Sequence, residues 1–509
     1  MAHVHVDTSD ELTRLRPAGK SLGIALMIGG VVAVVLALVS SYGTDTGTQR
    51  FWFAYLFGLA GVTCVSCAAL IFTLVNHLVR AGWITNIRRI LETFALQIGL
   101  VLVLALPVVF NVLARNGTIY SWAKPSNTPI ASHHEGGNEE HGDAAAPHEG
   151  EGHATPATSP SHAPTAPEGH DAQKAGAETV AGPAAAANHD AAVTQSEHNE
   201  PGVKTGARIA DDYFVNHQVV PGVKREYDEN IARKAHIWLN PYFWSLRVLV
   251  YFGVLAGIAY YYWSSSIKQD QSGDLDISAH LSYIAGPLTV ATGLIVSFIA
   301  FDVFMSLDPH WFSTMYGIYF FASGTQAMWA LMALFVLVMQ QRGYLTASIS
   351  RELRHDIGKF LWAFIFFWGY VAFSQYMLQW YANLPEETFW FDKRGYSQAH
   401  PNGYTPLVIA LLVGRFVIPF LGLVSRHVKR NRFGLGFWAV WLLCFWVLDM
   451  YLLVIPESTV SRPIGFPEIL AFAGIFALWI GNVIRVLGNH ALRPMRDPRI
   501  HESLALQNF

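Results

Sequence analysis

Five ionisable side chains lie inside long apolar runs of this sequence: Glu92, Arg247, Asp302, Arg415 and Asp449. A charge at the centre of a membrane span costs roughly 2.5–3.5 kcal/mol on insertion scales, so such a group is paired, hydrated or put to chemical use. Arg415 lies near the middle of its run, and Asp449 stands several residues before the end of the next, antiparallel one. At a rise of about 1.5 Å per residue the two reach similar depths. An Arg415–Asp449 ion pair is the least costly way to hold both charges, and a structural role is the simpler reading of it. Arg247 and Glu92 lie close to run ends, where long side chains snorkel to the interface.

Asp302 stands near the end of its run, just before the turn Asp308-Pro309-His310. Desolvation favours the neutral form of a carboxyl group, which equips it to take up and release a proton. Three roles fit this placement: a cap on the loop, a proton exit group, or a quinone contact. Ser306, four residues on, shares its helix face. Tyr370, Gln375 and Gln379 on a later run are candidates for the opposite wall of a proton path or quinone pocket. Ser323, Thr325 and Gln326 on the run between form a further polar set open to the same reading, and interhelical hydrogen bonding explains both sets equally well. Roughly 33 Å of continuous helix separates His280 from Asp302, so His280 belongs to the other end and reads as a solvated interfacial group.

The elements that must position these groups follow from composition. Of 509 residues, 52% are hydrophobic and only 14% charged, against about 25% charged in soluble domains. The fold class is an all-α polytopic membrane protein with about ten transmembrane helices. The spans read as Leu22–Ser40, Phe51–Val75, Leu91–Leu113, Phe243–Trp263, Tyr283–Ser306, Met315–Met339, Phe360–Trp380, Thr405–Leu423, Gly434–Ile455 and Pro467–Ile484. The polar start before Leu22 and the length of that run argue for a true span rather than a cleaved leader. Thr405-Pro406 predicts a hydroxyl cap followed by proline at the first helical position. The net charge of −3 gives no electrostatic footprint for nucleic acid. The three cysteines, Cys64, Cys67 and Cys444, all lie in apolar runs; Cys64 and Cys67 read as packing residues. No Cys-x-x-Cys-His sequence occurs, so no covalently attached haem is expected.

Loop charges set the orientation. Lys and Arg collect before the first span, between spans two and three, six and seven, eight and nine, and after the last; the alternate loops are poor in both. The positive-inside rule therefore places both termini in the cytoplasm of a multi-pass inner-membrane protein. Four segments follow: residues 1–115 with three spans, a periplasmic insert at 116–236, residues 237–490 with seven spans, and a cytoplasmic tail at 491–509. Within it, residues 126–200 are rich in Ala, Pro, Gly, Glu and His and carry nine of the 21 histidines, from His133 to His198. Its composition predicts a segment that cannot bury enough apolar surface to order itself. The irregular histidine spacing, without cysteine, argues for a polar insertion over a metal-capturing tract.

Three stretches carry a resemblance: Tyr251–Asp270 with its SSSIKQDQSGD ending, Phe301–Gly324 (FDVFMSLDPHWFSTMYGIYFFASG) and Asp356–Phe391 (DIGKFLWAFIFFWGYVAFSQYMLQWYANLPEETFWF). They resemble the membrane subunits of bacterial alternative complex III, within the polysulfide-reductase-like (NrfD-like) family. The likeness covers most of residues 1–115 and 236–490. That complex has two such membrane subunits: one adjoins the iron–sulfur protein and carries the quinol site, and the other is its diverged sibling, placed elsewhere in the complex. The DPHWFSTMYG and NLPEET segments are similar to the diverged sibling. The resemblance implies two four-helix bundles, spans two to five and six to nine, flanked by spans one and ten. It implies a subunit of a respiratory quinol:cytochrome c oxidoreductase that supplies scaffold and a proton path without a haem or iron–sulfur cluster of its own. The implied partners are an iron–sulfur subunit, multihaem cytochrome subunits, the sibling membrane subunit and the lipid membrane. Quinol, menaquinol included, would be a ligand of the complex. Two other functions remain open: the quinol-binding membrane subunit of the same complex, with Asp302, Gln375 and Gln379 in its pocket, and a secondary transporter.

Overall fold

The computed structural model describes residues 11–41, 47–124, 234, 237–396, 401–458 and 465–506. The His-rich insert lies outside the described residues. Among the described residues, ten helices are long and apolar enough to cross a membrane: α1 Pro17–Ser41, α2 Gly47–Leu78, α3 Thr85–Leu113, α4 Pro241–Ser272, α5 Leu275–Leu307, α6 Met315–Gln341, α7 Arg351–Ala382, α8 Thr405–Gly422, α9 Arg432–Glu457 and α10 Phe466–Leu487. The chain is an all-α polytopic membrane protein.

Helix ends follow their capping residues. Asn240 accepts from the Tyr242 and Phe243 amides with Pro241 next in the chain, and Ser350 accepts from Leu353 N. Gly273 at φ 71° and Asn383 at φ 50° end α4 and α7 in the left-handed region. Both helices outrun the apolar stretches expected for them. Hydropathy reads only the part in the membrane, while the caps let α4 continue to Ser272 and α7 begin at Arg351. At α8 the expected cap is displaced by one residue: Tyr404 precedes the helix, and Thr405 turns back to accept from Asn402 N.

Two helices form the centre. Ninety-four per cent of the apolar window of α2 and 83% of that of α6 are buried, against 17% for α1. α2 packs with α3, α4 and α5, and α6 packs with α7 and α9, α8 closing against α7 and α9. These are two four-helix bundles joined where α2 meets α6. A Cβ at Gly324 would collide with the Cys64 carbonyl, so only glycine permits that approach. α1 and α10 pair along their length and dock on α2 as flanking helices.

At the terminal side, residues from Glu11 onward form a strap between the α6–α7 loop and the segment that follows α10. Leu12 pairs with Tyr344 and Arg14 with Ala491, and the Glu11 carboxylate accepts from Ala347 N (2.8 Å) and Ser348 N (2.7 Å). Glu92 does not snorkel as its position near a run end suggested. It is buried within the first bundle and bonded to Arg88 Nε at 2.9 Å; Arg88 also reaches Asp497 at 2.7 Å. A paired carboxylate inside the protein is better compensated there than a single charge reaching for the interface.

Candidate functional site

Each bundle holds one buried arginine–aspartate pair between its third and fourth helices, and both pairs lie toward the membrane face opposite the strap. In the first bundle, Asp302 sits on a π-helical turn, Ala300–Phe304, that interrupts the end of α5. Arg247 on α4 grips its carboxylate with both Nε and Nη2, each at 2.9 Å. Trp238 donates its indole N–H to the same carboxylate at 2.9 Å, and the guanidinium lies 4.1 Å from the Trp238 ring centroid and 4.5 Å from that of Phe243. The unwound turn exposes carbonyls, and side chains take them up. The Asp302 carbonyl accepts from Trp244 Nε1 (2.6 Å) and Ser306 Oγ (2.5 Å), Val303 O from Tyr120 (2.7 Å), and Ser306 O from Trp122 (2.9 Å). The tyrosine and tryptophans therefore replace helix bonds lost at the turn.

In the second bundle, Arg415 sits on another π-helical turn, Leu412–Val417 in α8. Pro419 lies four residues on; it lacks the N–H that would bond the Arg415 carbonyl, and its ring crowds that oxygen. Arg415 forms a salt bridge with Asp449 on α9, donates from Nε to Gln326 (2.6 Å) and from Nη2 to Ser323 Oγ (2.9 Å), and covers the Trp368 ring at 4.3 Å. Asp449 accepts in addition from the Tyr319 and Ser323 hydroxyls, the latter at 2.6 Å. Both charges are essentially out of solvent.

No family model matches the sequence, and no curated protein matches it.

The remaining candidates do not form one wall. Ser306 stays beside Asp302, bonded to its carbonyl. Gln375 and Gln379 are buried on α7, and Gln379 accepts from Trp311 Nε1 at 3.1 Å in the loop that joins the bundles. Tyr370 is 57% exposed and points out of the protein, away from both glutamines. A 3.6-residue turn accounts for the separation: residues five apart stand more than 100° from one another around the axis. His280 is exposed near the other end of α5. Arg247 is buried on Asp302 instead of snorkelling. The signal for that pairing was available: Arg247 and Asp302 lie at similar distances from the same end of consecutive spans, the same geometry that singled out Arg415 and Asp449. Ser323 and Gln326, members with Thr325 of the polar set on their span, do meet a charged centre, whereas Tyr319 gave no such signal, because hydroxyls are common on apolar helices and most of them only bond their own backbone.

The turn between the bundles, Asp308-Pro309-His310, carries two shifted groups outside the spans. Burial chiefly, with Glu457 adding repulsion, raises the Asp308 carboxyl to about 6, while Lys393, the His310 backbone bond and Arg394 oppose the shift. Burial lowers His310 to about 4, with help from Lys234 and Lys393. The His310 amide donates to Asp308 Oδ1 at 3.1 Å, and Trp311 stacks on Trp390 with centroids 4.0 Å apart. Among the described residues, no three His, Cys, Asp or Glu side chains gather closely enough to hold a metal ion.

Proposed function

We propose that this chain is an integral membrane subunit of a respiratory quinol:electron-acceptor oxidoreductase of the alternative complex III type, similar to the membrane subunit of that complex that stands apart from the iron–sulfur protein. It joins two helical bundles into a scaffold and contributes a proton path, while partner iron–sulfur and multihaem cytochrome subunits carry the electrons. On this reading the Lys/Arg-rich loops and both termini face the cytoplasm of a bacterial inner membrane.

The observation that carries the proton role is the hydroxyl shell of Asp449. Tyr319 and Ser323 donate to its carboxylate, and Ser323 also accepts from Arg415. A hydroxyl both gives and receives protons, so the Tyr319–Asp449–Ser323 cluster is a relay element. Asp302 is gripped by the Arg247 guanidinium and the Trp238 indole N–H, with the Tyr251 hydroxyl also interacting with it. Asp302 anchors the first bundle through that grip, and Asp449, with two hydroxyls donating to its carboxylate, is assigned the proton role.

Mild solubilisation of a tagged chain tests the assembly. Multihaem absorbance and an iron–sulfur signal are expected to copurify with it; a chain that elutes alone from native membranes would refute the reading. In proteoliposomes of the assembled complex, Tyr319→Phe should leave quinol oxidation in place and lower the protons released per electron. Unchanged proton release would remove Tyr319 from any path.

A further inference from the structure

Near the strap side, α6 and α9 part to leave an open groove of about 720 Å³. Its walls are apolar: Leu337 and Val338 on α6, and Phe433, Phe437 and Trp441 on α9. Gly436 lies on the floor, where an added Cβ would come into van der Waals contact with Leu337 Cδ1 at 3.4 Å. The polar lining, Gln341 and Arg432, is confined to one end, where α6 stops and α9 starts. From Arg432 to Phe445 the groove follows α9 for about 20 Å, by a rise of about 1.5 Å per residue. One leaflet of a ~30 Å hydrocarbon core spans about 15 Å. A groove of this length, open sideways inside a membrane and without hydrogen-bonding groups at depth, is filled by hydrocarbon rather than water.

The polar end is strongly cationic. Residues 341–360 and 424–432 carry eight Lys and Arg against Glu352 and Asp356. Those two carboxylates are already engaged, Glu352 by Arg430 and Asp356 by Lys359, each at 2.5 Å. Arg354 is buried with its Nε lacking a hydrogen-bond partner, and it feels the fields of Arg351 and Arg432. The surplus charge calls for an anion at the groove's mouth. A quinone needs polar partners along the ring, and the groove offers none at depth.

We propose that the α6–α9 groove binds one acyl chain of an anionic phospholipid, with its headgroup phosphate at Arg432. This rests on the membrane fold and not on the respiratory assignment.

Cys444 makes the test direct. It lines the groove about three turns from Arg432 and is exposed, whereas Cys64 and Cys67 are buried. The full chain, labelled at Cys444 with a bimane and placed in nanodiscs, is titrated with tail-brominated phosphatidylglycerol or phosphatidylcholine. Half-quenching is expected at a phosphatidylglycerol fraction about fivefold lower, the preference that one interfacial cation supplies. Arg432→Gln should erase the preference while quenching by both lipids persists. Gly436→Leu should fill the floor and weaken quenching by both. Equal quenching by the two headgroups in the unmutated chain would overturn the proposal. So would absence of quenching by either, which would mean that a protein surface covers the groove, or unchanged quenching in correctly folded Gly436→Leu.

Discussion

The Arg247–Asp302 and Arg415–Asp449 centres are built from the same parts and surrounded differently. Each joins the third and fourth helices of a four-helix bundle, each has a π-helical turn under one charge, and each places the guanidinium against an aromatic ring. In the first centre the π turn carries the acid; in the second it carries the base. Asp302 is gripped by N–H donors, Trp238 reaching it from outside the spans, and the Tyr251 hydroxyl also interacts with it. Asp449 meets two hydroxyls within α6. The first centre thus relies mainly on N–H donors, while the second sets two hydroxyls directly on its carboxylate. The same residue pair is embedded in two different sets of secondary partners.

Charge removal should separate the centres first by depth. Asp449→Asn leaves Arg415 buried without a counter-charge, and breaking a buried pair costs about 3–5 kcal/mol. Loss of monodisperse protein in mild detergent is the expected result, with partial recovery when Arg415→Gln is added. A double variant no better than the worse single one would show that the pair does not stabilise the fold. Asp302→Asn should cost less, because Arg247 lies only six residues from the start of α4 and its long side chain has a short path to the interface. Equal losses at both sites would remove the distinction in depth.

Trp238→Phe probes a single bond of the first centre. It keeps an aromatic face for Arg247 and deletes one hydrogen bond to a carboxylate, for which about 1.5–3 kcal/mol is typical. A small drop in melting temperature with the fold intact is expected. A loss as large as that of Asp302→Asn would make the indole, rather than the arginine, the principal support.

What the sequence revealed follows the range of each physical signal. The spans were legible because about 20 apolar residues in a row seldom occur except to cross a bilayer. The two-bundle arrangement entered through resemblance and is present in the packing of α2 to α5 and α6 to α9. Arg415 and Asp449 could be matched by depth because both stand well inside their runs. Tyr370 could not be placed, since spacing along one helix does not say which face meets a neighbour. Ser323 could be flagged as polar but not assigned a partner, and Tyr319 and Trp238 become informative only when the third dimension brings them to a carboxylate.

The smallest effect belongs to the turn between the bundles, and it is concealed in the unmutated protein. Folded Asp308 has its carboxyl raised from 3.8 to about 6, so the folded state retains a proton that the unfolded chain releases. Its stabilisation is present below about pH 4 and is lost as pH rises through about 6. Folded His310 is lowered from 6.5 to about 4, so the folded state binds fewer protons than the unfolded chain. Its contribution runs the other way: absent below about pH 4, it grows with pH and is complete above about 6.5. The two slopes oppose each other across the same window, and the melting temperature of the unmutated chain in detergent should change little there on account of this turn. Asp308→Asn leaves the histidine slope, so the melting temperature should climb between pH 4 and 6.5. His310→Gln leaves the carboxylate slope, and the melting temperature should fall over that range. Profiles that remain parallel in all three proteins would show that the titration of neither group is coupled to folding.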